Sequence, residues 1–196
     1  EITKLMEECQ SMKIATLGPD VNESYSEFGV NKHGEIRFGL SAIKGMGEAA
    51  AQSIVNERER NGVYKDIYDF AERADYTCVN RKAFESLALS GGFDCFGLPR
   101  EAYFSVGAKN DVFLETLIRY GQLYQQEQRE AQNSLFGGSS SVEIAHPIPA
   151  KTEGWSTIER LNRERELVGI YLSAHPLDDY EIVLRNLCNT HCTELA

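Results

Sequence analysis

Apolar residues recur along most of this chain at helical spacing. Ile2, Leu5, Met6, Cys9 and Met12 share one face of a first helix, which has to end before Gly18-Pro19. Pro19-Asp20-Val21-Asn22-Glu23-Ser24 is dense in turn formers and reads as an extended, turning stretch. The period then shortens. Phe28 and Val30 before, and Ile36 and Phe38 after, flank Asn31-Lys32-His33-Gly34, which predicts a short β-hairpin with His33 in its solvated turn.

Helical spacing resumes at Glu48 and runs to about Arg60, where Asn61-Gly62 supplies a stop. Asp66 can cap a helix carrying Ile67, Phe70 and Ala71. Asn80 can cap another carrying Ala83, Phe84, Leu87 and Ala88, which stops at Gly91-Gly92. From about Arg100 to Glu130 the apolar positions Phe113, Leu114, Leu117, Ile118 and Tyr124 are again helical, with a break near Gly107 to Asn110. Past Pro147 and Pro149, Trp155, Ile158, Leu161, Val168 and Leu172 predict a long helix ending around Ser173-Ala174-His175-Pro176, because proline disfavours a helical residue before it. Its Arg160, Arg163, Glu164, Arg165 and Glu166 read as a solvated face. His175 reads as a turn residue rather than a general base, and Tyr180, Val183, Leu184 and Leu187 predict one last helix. The fold class is mainly α with a small β-hairpin.

Between the β-hairpin and the Glu48 helix lies Ile43-Lys44-Gly45-Met46-Gly47. Two glycines around one apolar residue make a tight turn between helices, and such a turn leaves backbone amides unpaired. Glycine admits a close neighbour, and the following helix adds its first N–H groups and the positive end of its dipole. That combination is a seat for an anion with Lys44 beside it; the same spacing also suits a plain interhelical turn. Leu89 to Asp94 reads as a second, degenerate copy. Two such units would share a core of Ile43, Ile54, Phe70, Phe84 and Leu87.

Charge changes this picture more than composition does. The net charge of -10 opposes nucleic-acid binding, but residues 1–31 hold two bases against six acids, 32–100 ten against ten, and 101–196 eight against fourteen. The glycine turn therefore sits in a neutral segment, which permits a weak contact with a phosphate backbone; a high-affinity solitary DNA binder would be more basic. At 196 residues the chain can form one sizeable domain or two small ones. It has no apolar run of the ~20 residues needed to span a bilayer, and no secretory signal pattern. Its ends, Glu1-Ile2-Thr3 and Glu194-Leu195-Ala196, suggest a fragment.

Five cysteines, odd in number and scattered, argue for a reducing compartment over a disulfide framework. Cys188, His191 and Cys192 offer three ligand-type side chains, one short of a structural zinc set, so no metal site is assigned. There are no paired aspartates in an apolar strand, no G-x-S-x-G, no H-E-x-x-H and no Walker loop; no catalytic residue is assigned. Residues 131–150 degrade into a Gln-, Ser- and Gly-rich exposed loop. There Leu135-Phe136 either tuck back onto the domain or anchor in a partner's pocket.

Four signatures in one order resemble the alpha-subunit family of bacterial DNA polymerase III, the C-family replicative polymerases. They are Pro19 to Ser24; Ile36-Arg37-Phe38-Gly39-Leu40 leading into Ala42 to Gly47; Gln132 to Phe136; and Gly169-Ile170-Tyr171-Leu172-Ser173-Ala174-His175-Pro176-Leu177. The resemblance implies that residues 1–30 are the end of a fingers domain and 31–110 a tandem helix-hairpin-helix unit. It makes 111–176 a clamp-binding region and 177–196 a connector toward a missing oligonucleotide-binding fold.

It also implies a cytoplasmic parent that is a DNA-directed DNA polymerase, using Mg2+ on palm aspartates upstream and working with other replicase subunits. No cofactor falls to this fragment. Lys44, Gly45, Met46, Gly47 and Glu48 would meet a phosphate of double-stranded DNA, while Gln132, Leu135 and Phe136 would bind the sliding clamp. Gly92-Phe93-Asp94 departs from the glycine-apolar-glycine pattern, which puts DNA contact by the second hairpin in question. A helix-hairpin-helix module of repair or recombination, or a pure interaction scaffold, are the alternatives.

Overall fold

The computed structural model describes residues 2–108, 110–133 and 144–180, with 182 and 186. Its helices are α1 (Ile2–Ser11), α2 (Glu48–Asn61), α3 (Ile67–Arg73), α4 (Arg81–Ser90), α5 (Phe113–Asn133) and α6 (Thr157–Val168), and its strands are β1 (Thr16–Leu17), β2 (Gly29–Val30) and β3 (Ile36–Arg37). The expected hairpin is present: β2 runs antiparallel to β3 with Val30 opposite Ile36, and Gly34 in the turn adopts φ +80°. On the other edge of β3, β1 pairs in parallel, Thr16 opposite Ile36. Two residues carry no alternation to detect, so that strand is absent from the sequence-based expectation.

The helix ends follow the expected chemistry. The Asp66 carboxylate accepts the Tyr68 and Asp69 amides, Asn80 accepts that of Ala83, and Gly62 closes α2 at φ +86°. Ile43, Ile54, Phe70, Phe84 and Leu87 are all buried in one cluster. Phe70 meets Phe84 and Phe93 edge to face, at 5.3 and 4.9 Å between ring centroids. Helices α3 and α5 close against each other at Gly121, where a Cβ would collide with the Tyr76 hydroxyl and the Ala71 carbonyl. The turn at 20–24 is stitched to this body by hydrogen bonds. Arg58 donates to the Val21 and Ser24 carbonyls, each at 2.8 Å, and the Ser24 hydroxyl donates to the Phe38 carbonyl at 2.7 Å.

Three expectations need correction. The last long helix starts after the N-cap Ser156, so Trp155 lies outside it, and it ends at Gly169 (φ +87°), well before Ser173. Ile170 and Leu172 still pack on the core from non-helical backbone, which is why the apolar pattern overruns the helix. The charged face of α6 is not all solvated. Glu164 is 1% exposed, accepts from Arg100 at 2.9 Å, and also accepts the Leu172 and Ser173 amides and the Ser173 hydroxyl at 2.8, 2.9 and 2.7 Å.

The third correction concerns the loop at 131–150. Helix α5 extends to Asn133, and residues 144–150, though irregular, are docked in part. The His146 ring stacks on Tyr68 at 4.2 Å, Tyr68 donates to the Pro147 carbonyl at 2.7 Å, and the Ala150 amide donates to Ser105 at 3.1 Å. Residues 134–143 are outside the described residues, as are Val183, Leu184 and Leu187 of the last expected helix; Tyr180 lies in a short 3-10 turn.

Burial pushes the Glu164 carboxyl toward a higher pKa, but the bonds from Ser173, then Arg100 and Leu172, outweigh it and hold the group below the ordinary carboxylate range. A depressed folded pKa gives stability that is complete above the unfolded value of about 4.3 and is lost as pH falls below it through the folded pKa. Glu164→Gln is therefore expected to be less stable than the parent at pH 7, with the gap narrowing below about pH 4.3. Urea unfolding across that range measures it, and a gap independent of pH would contradict the assignment.

Candidate functional site

The turn at residues 43–47 is built by two plugs and three ties. Ile43 and Met46 insert their side chains into the core, at 1% and 6% exposure, so Lys44, Gly47, Glu48 and Ala49 are left facing solvent. Gly45 takes φ +93°, a conformation costly for a residue with a side chain, and a Cβ there would stand 2.7 Å from Ser86 Oγ. Buried Ser86, on α4, donates that hydroxyl to the Lys44 carbonyl at 3.0 Å. From α6, the Leu167 carbonyl accepts the Lys44 amide at 2.9 Å, and within the turn the Met46 amide donates to Ile43 at 3.0 Å.

These ties narrow the expected donor set. The amides of Lys44 and Met46 are used by the fold, so neither is open to an external acceptor. Those of Gly45, Gly47 and Glu48 have no acceptor among the described residues. Gly47 is the N-cap of α2 and has no side chain with which to cap it. Its φ of −81° demands no glycine, and an added Cβ would meet nothing within 4 Å. The fold could thus hold a capping serine or aspartate there, yet the first amides of α2 stay open. The Ala49 and Ala50 amides in the first turn of α2 likewise have no acceptor among the described residues, and these open N–H groups, beside the exposed Lys44 ammonium, can accommodate a phosphate oxygen.

One side chain near this turn is absent from the sequence-based expectation. Lys82, on α4, lays its stem against Gly45, with its Cε 3.0 Å from where a Cβ would stand. The available signal is its i, i+4 spacing to Ser86, which puts both on one face of α4. The second turn, by contrast, is closed. The Gly92 amide donates to Leu87 at 2.8 Å, the Gly92 carbonyl accepts from Val21 at 3.0 Å, and Phe93 is buried. The Asp94 carboxylate is gripped by Arg100 at 2.6 Å.

Of the residues expected at a clamp, Gln132 lies in the last turn of α5, while Leu135 and Phe136 are outside the described residues. Among the described residues no group of three His, Cys, Asp or Glu side chains is placed to hold a metal ion; Cys188, His191 and Cys192 lie outside them. No described helix is long and apolar enough to cross a membrane.

The two glycines of the turn are expected to respond differently. Gly45→Ala should cost about 1–3 kcal/mol through the strained φ and the clash at Ser86, whereas Gly47→Ser should cost nothing, because serine can cap α2. Denaturant midpoints measure both, and equal losses would contradict this geometry.

Residues 13–103 match the family model described as a helix-hairpin-helix motif. Over all 196 residues the chain is 36% identical to the DNA polymerase III subunit alpha of Pasteurella multocida, covering 16% of that protein. Over 190 residues, 94% of the chain, it is 37% identical to the subunit alpha of Chlamydia trachomatis, covering 14% of it. Over 181 residues it is 36% identical to that of Deinococcus radiodurans, covering 13%. The chain thus spans about one sixth or less of these relatives' length.

Proposed function

Because the chain belongs to the DNA polymerase III alpha family, as one segment of it, we propose that it holds duplex DNA and tethers a replicative DNA-directed DNA polymerase to the sliding clamp. The observation that carries the first half is the open N-terminus of α2, with the Gly45, Gly47 and Glu48 amides unclaimed beside Lys44. Glu48 contributes its amide alone, since its carboxylate repels a phosphate. Amides and an ammonium on the backbone position a duplex without reading its sequence, which suits an enzyme that copies any template. Chemistry, with Mg2+, falls to the rest of the parent.

The tether would be Gln132, Leu135 and Phe136. The two apolar side chains would fill a pocket on the clamp while Gln132 bonds its rim. A ring around DNA then raises the local concentration of the enzyme with no stronger DNA contact. The partners on this reading are double-stranded DNA, the clamp and other replicase subunits, in the cytoplasm. A net charge of -10 favours a second reading, a protein-interaction scaffold in which the turn is only structural.

Duplex binding by the chain, followed against salt, separates the two. Lys44→Glu is expected to weaken binding and to lower the salt slope by about one unit; unchanged affinity and slope would favour the scaffold. For the tether, Leu135→Ala with Phe136→Ala is expected to abolish capture by the sliding clamp in a pull-down while the circular dichroism stays as in the parent. Undiminished capture would remove the clamp assignment.

A further inference from the structure

The second helix-hairpin-helix unit poses a problem for any duplex contact that relies on two equivalent turns. Its own turn has no open seat: both glycines are hydrogen-bonded within the fold, Phe93 is core, Asp94 puts a carboxylate where the first turn has Gly47, and Gly91 stands where it has Lys44. Helix α4 of that unit nonetheless reaches the first turn by its flank. Ser86 holds the Lys44 carbonyl, and one helical turn earlier Lys82 lies along Gly45 with both Cε and Cγ within 3.4 Å of the position a Cβ would take.

The cations carried by the two units and their neighbours are unequal in their commitments. Arg81 pairs with Glu115 at 2.8 Å, Arg73 with Glu57 and Asp69 at 2.9 Å each, and Arg100 with Asp94 and Glu164. Lys82 and Lys44 are both exposed and have no ion-pair partner among the described residues. Lys44, next to Gly45 in the chain, and Lys82, whose stem lies on Gly45, thus bring an uncommitted ammonium from each helix-hairpin-helix unit to the neighbourhood of the unclaimed amides. Packing on Gly45 restricts the Lys82 stem, so less side-chain freedom is lost when its head meets an anion.

We infer that the two units converge on one phosphate seat, with Lys82 as its second cation, and that the second turn is a structural brace. This rests on the duplex-binding reading above and specifies the site. The duplex backbone would be held between Lys44 and Lys82, and α4 would contribute through its side, not through residues 91–94.

The test is binding of the 196-residue chain to a short duplex of random sequence as salt is varied. Lys82→Met keeps the apolar stem and removes the charge; Lys82→Arg keeps both. Lys82→Met is expected to lose roughly five- to tenfold in affinity at 0.1 M salt and to lower the salt slope by about 0.9, while Lys82→Arg stays near the parent. The exposed Lys32 in the β2–β3 turn serves as a charge control, and Lys32→Met is expected to change little. If Lys44→Glu weakens binding and Lys82→Met does not, Lys82 is no part of the seat and the inference fails alone. Equal losses from Lys32→Met and Lys82→Met would also overturn it, as a general charge effect. If neither Lys44 nor Lys82 matters, the duplex-binding reading itself fails.

Discussion

The arrangement depends on one buried carboxylate. Glu164 sits on α6 and ties together Arg100, which precedes α5, and the backbone at 172–173, which follows α6. An unpaired charge there would be prohibitive, so the helix can pack in only one position, the one that brings all these donors to it. That position sets the Leu167 carbonyl less than one turn further along α6, where it accepts the Lys44 amide. The ionic core thus fixes a backbone group that in turn fixes the glycine turn. The Leu172-Ser173 part of the fourth signature has its explanation here as well: it supplies three of the four donors to Glu164.

The consequence at residues 43–47 is a division of labour among neighbouring amides. The fold takes the two it needs to set the turn, and leaves those of Gly45, Gly47 and Glu48 with no acceptor among the described residues. Rigidity and availability come from the same geometry, since an amide held by its neighbours costs little to reorganise when an anion arrives. The two glycines separate these roles. Gly45 is required by the fold, through φ and through Ser86; Gly47 is not, and what it leaves out is a cap.

Much of this is legible in the chain because local chemistry decides it. Asp66, Asn80 and Gly62 act within a few residues of themselves, and Phe70, Phe84 and Leu87 announce a core by spacing alone. What escapes is decided at a distance. Glu164 looks like its neighbours Arg163 and Arg165 until Arg100, 64 residues away, takes it out of water. The end of α6 is hidden because Ile170 and Leu172 keep the apolar rhythm while Gly169 changes the backbone beneath it. His146 gives no sign that Tyr68 and Tyr120 form its cradle. Lys82 belongs to the same class: its neighbour is a glycine on another element.

An acidic chain can still hold DNA if it does so with groups that carry no net charge to be cancelled. Backbone amides at a helix end bring a partial positive charge that acidic residues elsewhere screen only weakly beyond a Debye length of about 10 Å at 0.1 M salt. With one or two ammonium groups added, such a seat releases few counterions, so its affinity is modest and its hold on any one phosphate is brief. On the reading proposed for this segment, that weakness is an advantage. An enzyme that must advance along its product cannot grip it tightly, and persistence is supplied instead by a tether to a ring that slides. The open amides beside Lys44 and the apolar pair at 135–136 are then two parts of one solution, the first holding the duplex in place and the second preventing escape.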